Sequence, residues 1–435
     1  MSRSGVAGLI TCGAALVALT LAGLRFQADD DLHGFLVVAA LQAALYAAAV
    51  WLVWRAGSGR GIVLGIAAVA MAMRVPVVLA PPYLSTDIYR YVWDGWVDAA
   101  GFNPYTHAPM DPLLEALRDS TIFPQIGSPY APTIYPPIAE AIFFLVTRVS
   151  GSVAAMKAAM VGFEIVTFAL LARLLSAEGL PTSRVLAYAW HPLPLWEFGG
   201  SGHVDAVLIT CCLAALWAAR QRPGGSTGLF LAGATLTKLY PVVLLPAFYR
   251  RWDWKLPAVF TAALVIAYLP FISAGAQIFG FLPGYAGQEG FDANGGGFYL
   301  LALLHRVPWF AALDARAYVL AGLAVLAAVS AVLVFHREPL RPSYAQAASL
   351  AALFTVLVSP HYPWYFSWLI VFIPFARTFA LLWLTNSCLL LYLAQGYAFV
   401  QSGQRLAIES ALYGPFAALA LFDFCYNRRS AGVRN

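Results

Sequence analysis

The chain has 435 residues, 61% of them apolar and 11% charged; a soluble globular domain carries about 25% charged residues, so these are too few to cover a water-facing surface. The net charge of +5 sits in short basic clusters between apolar runs, where it sets membrane orientation rather than marking a nucleic-acid partner. The runs are continuous and Ala/Leu-rich, without the alternation of a transmembrane barrel. They predict an all-α, polytopic integral membrane protein, a helical bundle of about 12–14 spans at roughly 20 residues each.

The first three apolar runs cover residues 6–24, 34–54 and 61–80. The first resembles a signal sequence, but it is long enough to span and has no convincing small-x-small site before Arg25, so it reads as a retained helix. Arg55 and Arg60 lie between the second and third runs, and three aspartates (Asp29, Asp30, Asp31) precede the second. The positive-inside rule then puts the N-terminus in the cytoplasm and segment 81–133 outside, as in a bacterial-type plasma membrane. Loops of that length are usually functional.

Further spans are expected over 256–272, 315–335, 344–358, 364–375, 379–394 and 411–424, with a cytoplasmic C-terminus. This places the basic clusters at 220–222, 250–255, 336–341, 377 and 428–434 inside. Residues 228–249 must then go out and return, as a broken pair bending near Lys238 and Pro241. Segment 135–198 holds three runs where parity allows two or four, so one of them is re-entrant. The five cysteines all lie in or beside apolar runs, and neither a disulfide nor a metal–cysteine site is expected. No internal repeat stands out, so the whole chain, 1–435, reads as one transmembrane domain carrying an outward catalytic loop.

That loop begins Ser85-Thr86-Asp87-Ile88-Tyr89-Arg90-Tyr91-Val92-Trp93-Asp94-Gly95-Trp96. Ser85 or Thr86 can cap a short amphipathic helix. On it Asp87, Tyr91 and Asp94 share a face, with Arg90 in reach of both carboxylates. The helix should end near Gly101, before a turn at Asn103-Pro104-Tyr105. Carboxylates can take protons from sugar hydroxyls, aromatic rings stack on sugars, and Arg pairs with phosphate in a bidentate fork. The plain alternatives are an interfacial helix with Trp and Tyr at headgroup level, and an Arg90 that only neutralises Asp87 and Asp94.

Downstream, His203 and Asp205 open a span. They suit substrate contact or a buried hydrogen-bonded pair, and without a third ligand they make no metal site. Lys238 lies within an apolar run, where a charge costs at least ~2.5 kcal/mol; an anionic lipid phosphate is its natural partner, and snorkelling the alternative. Glu140 and Glu164 are also intramembrane, Glu140 facing a cavity mouth and Glu164 in reach of Lys157. His361, Trp364 and Tyr365 mark an outer boundary, as cavity lining or an aromatic belt. The glycine-rich stretch 294–297 reads as a mobile lid or a slack linker.

Ser-x-Asp-Ile-Tyr-Arg-Tyr-x-Trp-Asp-Gly followed by Ala-Gly-x-Asn-Pro-Tyr resembles the first-loop signature of polyprenol-phosphate-mannose-dependent mannosyltransferases. These belong to the C-type glycosyltransferase superfamily, with its bacterial lipid-glycan and GPI mannosyltransferases. Tyr135-Pro136-Pro137, Gly202-His203-Val204-Asp205, Thr237-Lys238-Leu239-Tyr240-Pro241 and Ser359-Pro360-His361-Tyr362-Pro363-Trp364-Tyr365 extend the likeness. Two helices ahead of the signature loop depart from it. The resemblance implies an inverting transfer of a hexose, mannose above all, from a polyprenyl-phosphate donor to a lipid-linked or cell-envelope glycan acceptor. Asp87 would be the general base, with no metal and no cofactor. A transporter or flippase of lipid-linked sugars is the rival from another class, and a ligase of preassembled lipid-linked glycans a further one. A transporter, however, concentrates its polar residues near the midplane, whereas these gather at one surface.

Overall fold

The computed structural model describes residues 3–55, 59–221, 224–291, 296–336, 344–394 and 402–432. Every described element is helical. Among the described residues seven helices are long and apolar enough to cross a membrane: Arg3–Ala28, Leu32–Arg55, Gly61–Leu79, Val153–Ala177, Lys255–Gln277, Ala315–Phe335 and Gly403–Tyr426. Shorter apolar helices lie at Tyr344–Val358, Pro363–Phe372 and Phe379–Ala394. The basic positions at 222 and 337–341 and the first half of stretch 294–297 fall outside the described residues. The chain divides into two compact units, Met1–Ala80 with Leu171–Trp196 and Val358–Asn435, and Pro81–Leu170 with Glu197–Leu357.

In the first unit α1 (Arg3–Ala28), α2 (Leu32–Arg55) and α3 (Arg60–Leu79) follow the first three apolar runs. Residues 182–196 are the broken run of the odd-numbered segment, split into short helical pieces around His191, Pro192 and Pro194. Backbone freed at membrane depth needs other partners. Here Tyr46 of α2 donates to the Ala187 carbonyl at 2.7 Å, and Arg74 of α3 to that of Ala189 at 2.9 Å. Residues 363–372 form a 3-10 helix buried on nearly every side, in keeping with a sequence that is apolar at every position but Ser367.

The second unit holds α4 (Asp87–Ala99), α5 (Pro137–Val149), residues 153–170 of α6 (Val153–Ala177), α7 (Asp205–Gln221) and α8 (Gly225–Thr235). At 1.5 Å per residue α5 is about 20 Å long, short of a hydrocarbon layer of about 30 Å. The helix break expected near Lys238 falls over residues 236–239. Its last carbonyl, on Leu236, accepts from the Ile138 N–H at the start of α5 (2.9 Å). One broken end thus satisfies another, which fixes Lys238 beside the mouth of α5.

Candidate active site

Asp87 is the first residue of α4, and the Ser85 hydroxyl accepts from its N–H at 3.2 Å, so Ser85 rather than Thr86 supplies the cap. Its side chain is enclosed by protein yet keeps 36% exposure, which leaves the carboxylate open to a ligand. Tyr135 donates to Oδ2 at 3.4 Å, and His203 Nδ1 stands 3.8 Å from the same oxygen. Gly202 makes that approach possible: its φ of +72° is left-handed, and a Cβ there would strike Ile88 of α4.

His203 is fully buried, with Nε2 facing Glu197 Oε2 at 3.4 Å and its backbone N–H donating to the Glu197 carbonyl at 2.9 Å. Tyr91 is buried too, stacked on Phe143 at 4.4 Å and edge-on to Tyr135, with its hydroxyl 3.5 Å from His203 Nδ1. It therefore braces His203 and Tyr135 instead of offering an open ring. A step further on, Lys238 donates to Asp205 Oδ2 at 2.7 Å, and Tyr240 to Oδ1 at 2.9 Å. Asp205 opens α7, where the helix N-terminus also favours its charge.

These groups set the Asp87 proton affinity. Burial pushes its carboxyl above the usual carboxylate range. The Lys238 charge and hydrogen bonds from Tyr135 and Ser85 pull it partly back, and the Asp205 charge adds to the rise. A raised but ionisable carboxylate beside a cation can accept a proton from a hydroxyl.

Arg90 and Asp94 lie in another network. Arg90 Nε donates to both Asp94 oxygens at 2.7 and 2.8 Å, and Nη1 to the Ala131 carbonyl at 2.8 Å, so they pin the 131–135 loop to α4. Thr133 in that loop donates to Glu140 at 2.6 Å, and Glu140 is fully buried. Glu164 is buried as well.

His361, Trp364 and Tyr365 belong to the other compact unit. There His361 is buried against the Arg405 guanidinium, and Trp364 stacks on Tyr362 with ring centroids 4.5 Å apart. Glu197 escapes the sequence reading, although the rule that marks Lys238, an ion within an apolar run, marks it equally. The five cysteines are free. Among the described residues no group of three or more His, Cys, Asp or Glu could hold a metal ion.

A family model described as MptA_B family, alpha-(1->6)-mannopyranosyltransferase, N-terminal domain, matches residues 5–253. The match starts within α1, so the helices ahead of the signature loop are part of that domain rather than a departure from it. It takes in the Asp87 loop, Glu197, His203, Asp205, Lys238 and Tyr240. No curated protein and no solved structure is significantly similar to the chain.

Proposed function

Because the chain belongs to the alpha-(1->6)-mannopyranosyltransferase family and is a membrane-embedded, mannosyl-transferring glycosyltransferase, we propose that it draws mannose from a polyprenyl-phosphate donor at the outer face, with Asp87 as the base. The acceptor is a lipid-linked or cell-envelope glycan. One observation carries this reading: Asp87 is the open carboxylate of the cluster, raised by burial and within the field of Lys238.

In the step we infer, the acceptor hydroxyl gives its proton to Asp87, and its oxygen attacks the anomeric carbon from the face opposite the phosphate. The bond from that carbon to the phosphate oxygen breaks, and polyprenyl phosphate leaves with the electron pair. A single displacement of this kind inverts the anomeric centre. Lys238, with Tyr240 beside it, is the cation available to the departing phosphate. His203 and Tyr135 hold the Asp87 carboxyl in place, and Glu197 holds His203. Arg90 and Asp94 act at a remove, by fixing the loop that carries Tyr135.

Membership in a mannosyltransferase family favours a transferase over a lipid-sugar flippase. The test is to incubate purified protein with radiolabelled polyprenyl-phosphate-mannose and membrane lipids, and in parallel with a labelled nucleotide-linked mannose. Label should enter a glycan or glycolipid from the first donor alone. Transfer from the nucleotide donor alone would overturn the donor assignment.

A further inference from the structure

A furrow runs along α2 within the first unit. It is lined from Leu36 along the alanines of α2, Ala39 to Ala47, to Trp51 and Trp54, and walled opposite by the helix Phe379–Ser387. From Leu36 to Trp54 is about 27 Å along the helix, close to the hydrocarbon thickness of about 30 Å. Its volume is about 560 Å³. An apolar lining over that length suits a hydrocarbon chain.

Its walls are apolar, but three polar groups on them lack hydrogen-bond partners: the Trp54 indole N–H, the Asn386 side-chain oxygen and the Ser387 hydroxyl. Trp54 and Ser387 are only 7% and 9% exposed. Buried polar atoms of this kind cost free energy unless something satisfies them.

The Trp54 end of the furrow is basic. Arg55 lies over the Trp51 ring, 3.8 Å from its centroid, and is exposed. Arg377, also exposed, donates to the Trp54 carbonyl. Arg184 sits close enough for the Arg377 charge to act on it, and its buried Nε has no partner. The carboxylate at this end, Asp423, already accepts from Thr378 and from the Ala380 N–H, each at 3.0 Å. Cations gathered over an apolar furrow match the two ends of an anionic amphiphile.

We propose that this furrow is a binding site for an anionic glycerophospholipid. An acyl chain lies along the alanine stripe of α2, and the phosphate is held by Arg55, Arg377 and the Trp54 N–H. The site is separate from the mannosyl-transfer chemistry and does not depend on the Asp87 assignment.

The full chain, purified in a neutral detergent, is incubated with phosphatidylglycerol or phosphatidylcholine, and retained lipid is counted by native mass spectrometry alongside the melting temperature. Phosphatidylglycerol should be retained and should raise the melting temperature, and phosphatidylcholine should bind about tenfold more weakly. Arg55→Gln with Arg377→Gln should remove that preference, while Ala43→Leu, which fills the furrow, should remove retention of both lipids. Arg55 is exposed, so Arg55→Gln alone keeps the test usable if the furrow variant fails to fold. Equal retention of the two lipids by the unmodified protein, or unchanged retention by the arginine variants, would overturn the proposal. So would displacement of the bound lipid by polyprenyl phosphate but not by phosphatidylglycerol.

Discussion

Gly95 lets α4 pack closely against α5. A Cβ built there lies 2.5 Å from the Phe143 carbonyl oxygen and 2.6 Å from Thr147 Oγ1. The threonine can rotate; the backbone carbonyl cannot. Reaching ordinary contact requires α4 to withdraw by about 1 Å, an overpacking that costs about 1–3 kcal/mol. The gain in helix propensity from Gly to Ala, about 1 kcal/mol, offsets only part of it. Asp87 rides on the same rigid helix, two turns away, so its carboxyl leaves Tyr135 and His203. A misplacement of about 1 Å can cost roughly a hundredfold in rate. Gly95→Ala should therefore lower both the melting temperature and mannosyl transfer, measured on protein in detergent. Gly162→Ala is the control: that glycine lies in α6 with nothing within 4 Å of the added carbon, and the change should be neutral or slightly stabilising. A Gly95→Ala enzyme with unchanged melting temperature and unchanged transfer would refute the packing argument.

Three other outcomes follow from the same geometry. A general base works deprotonated, so kcat/KM falls as pH drops through its pKa; Tyr135→Phe removes a hydrogen bond that lowers the Asp87 pKa, and the acid limb of the pH profile should move to higher pH. Burial and the charge of Asp94 push the Asp98 carboxyl up to about 7, against about 3.9 in an unfolded chain. The folded state then holds the extra proton, and stability falls as pH rises between those values. Asp98→Asn should leave the melting temperature near that of the parent at pH 4 and raise it at pH 8, and a lower value at pH 8 would contradict this. Lys238→Met leaves Asp205, which is fully buried, without its cation and should cost about 3–5 kcal/mol in unfolding measurements. Adding Asp205→Asn should recover part of that loss; no recovery would mean that the two side chains are not coupled.

The helices were legible where apolar runs are long. Residues 6–24 and 34–54 lie within α1 and α2, and α3 covers the third run up to Leu79, one residue short of its expected end. The break near Lys238 was legible too, because an ion and a proline inside an apolar run leave few other solutions. The short spacing of Asp87 and Tyr91 gave one shared face. It did not say that Arg90 would close on Asp94 and the Ala131 carbonyl, since both carboxylates are within a helical turn of it. Contacts between distant segments, such as His203 with Asp87 or Leu236 with Ile138, leave no mark in local spacing. Nor could periodicity tell a largely buried 3-10 segment at 363–372 from an ordinary span, because both read as a mostly apolar run.

The account rests on the carboxylate of Asp87 taking a proton from the acceptor. The most direct measurement is single-turnover transfer from labelled polyprenyl-phosphate-mannose by Asp87→Asn, with binding of the donor measured on the same preparation. General base catalysis is worth roughly 100- to 10,000-fold, so transfer should fall by that range while donor binding stays within a few-fold of the parent. Transfer at the parental rate, with donor binding intact, would contradict the assignment.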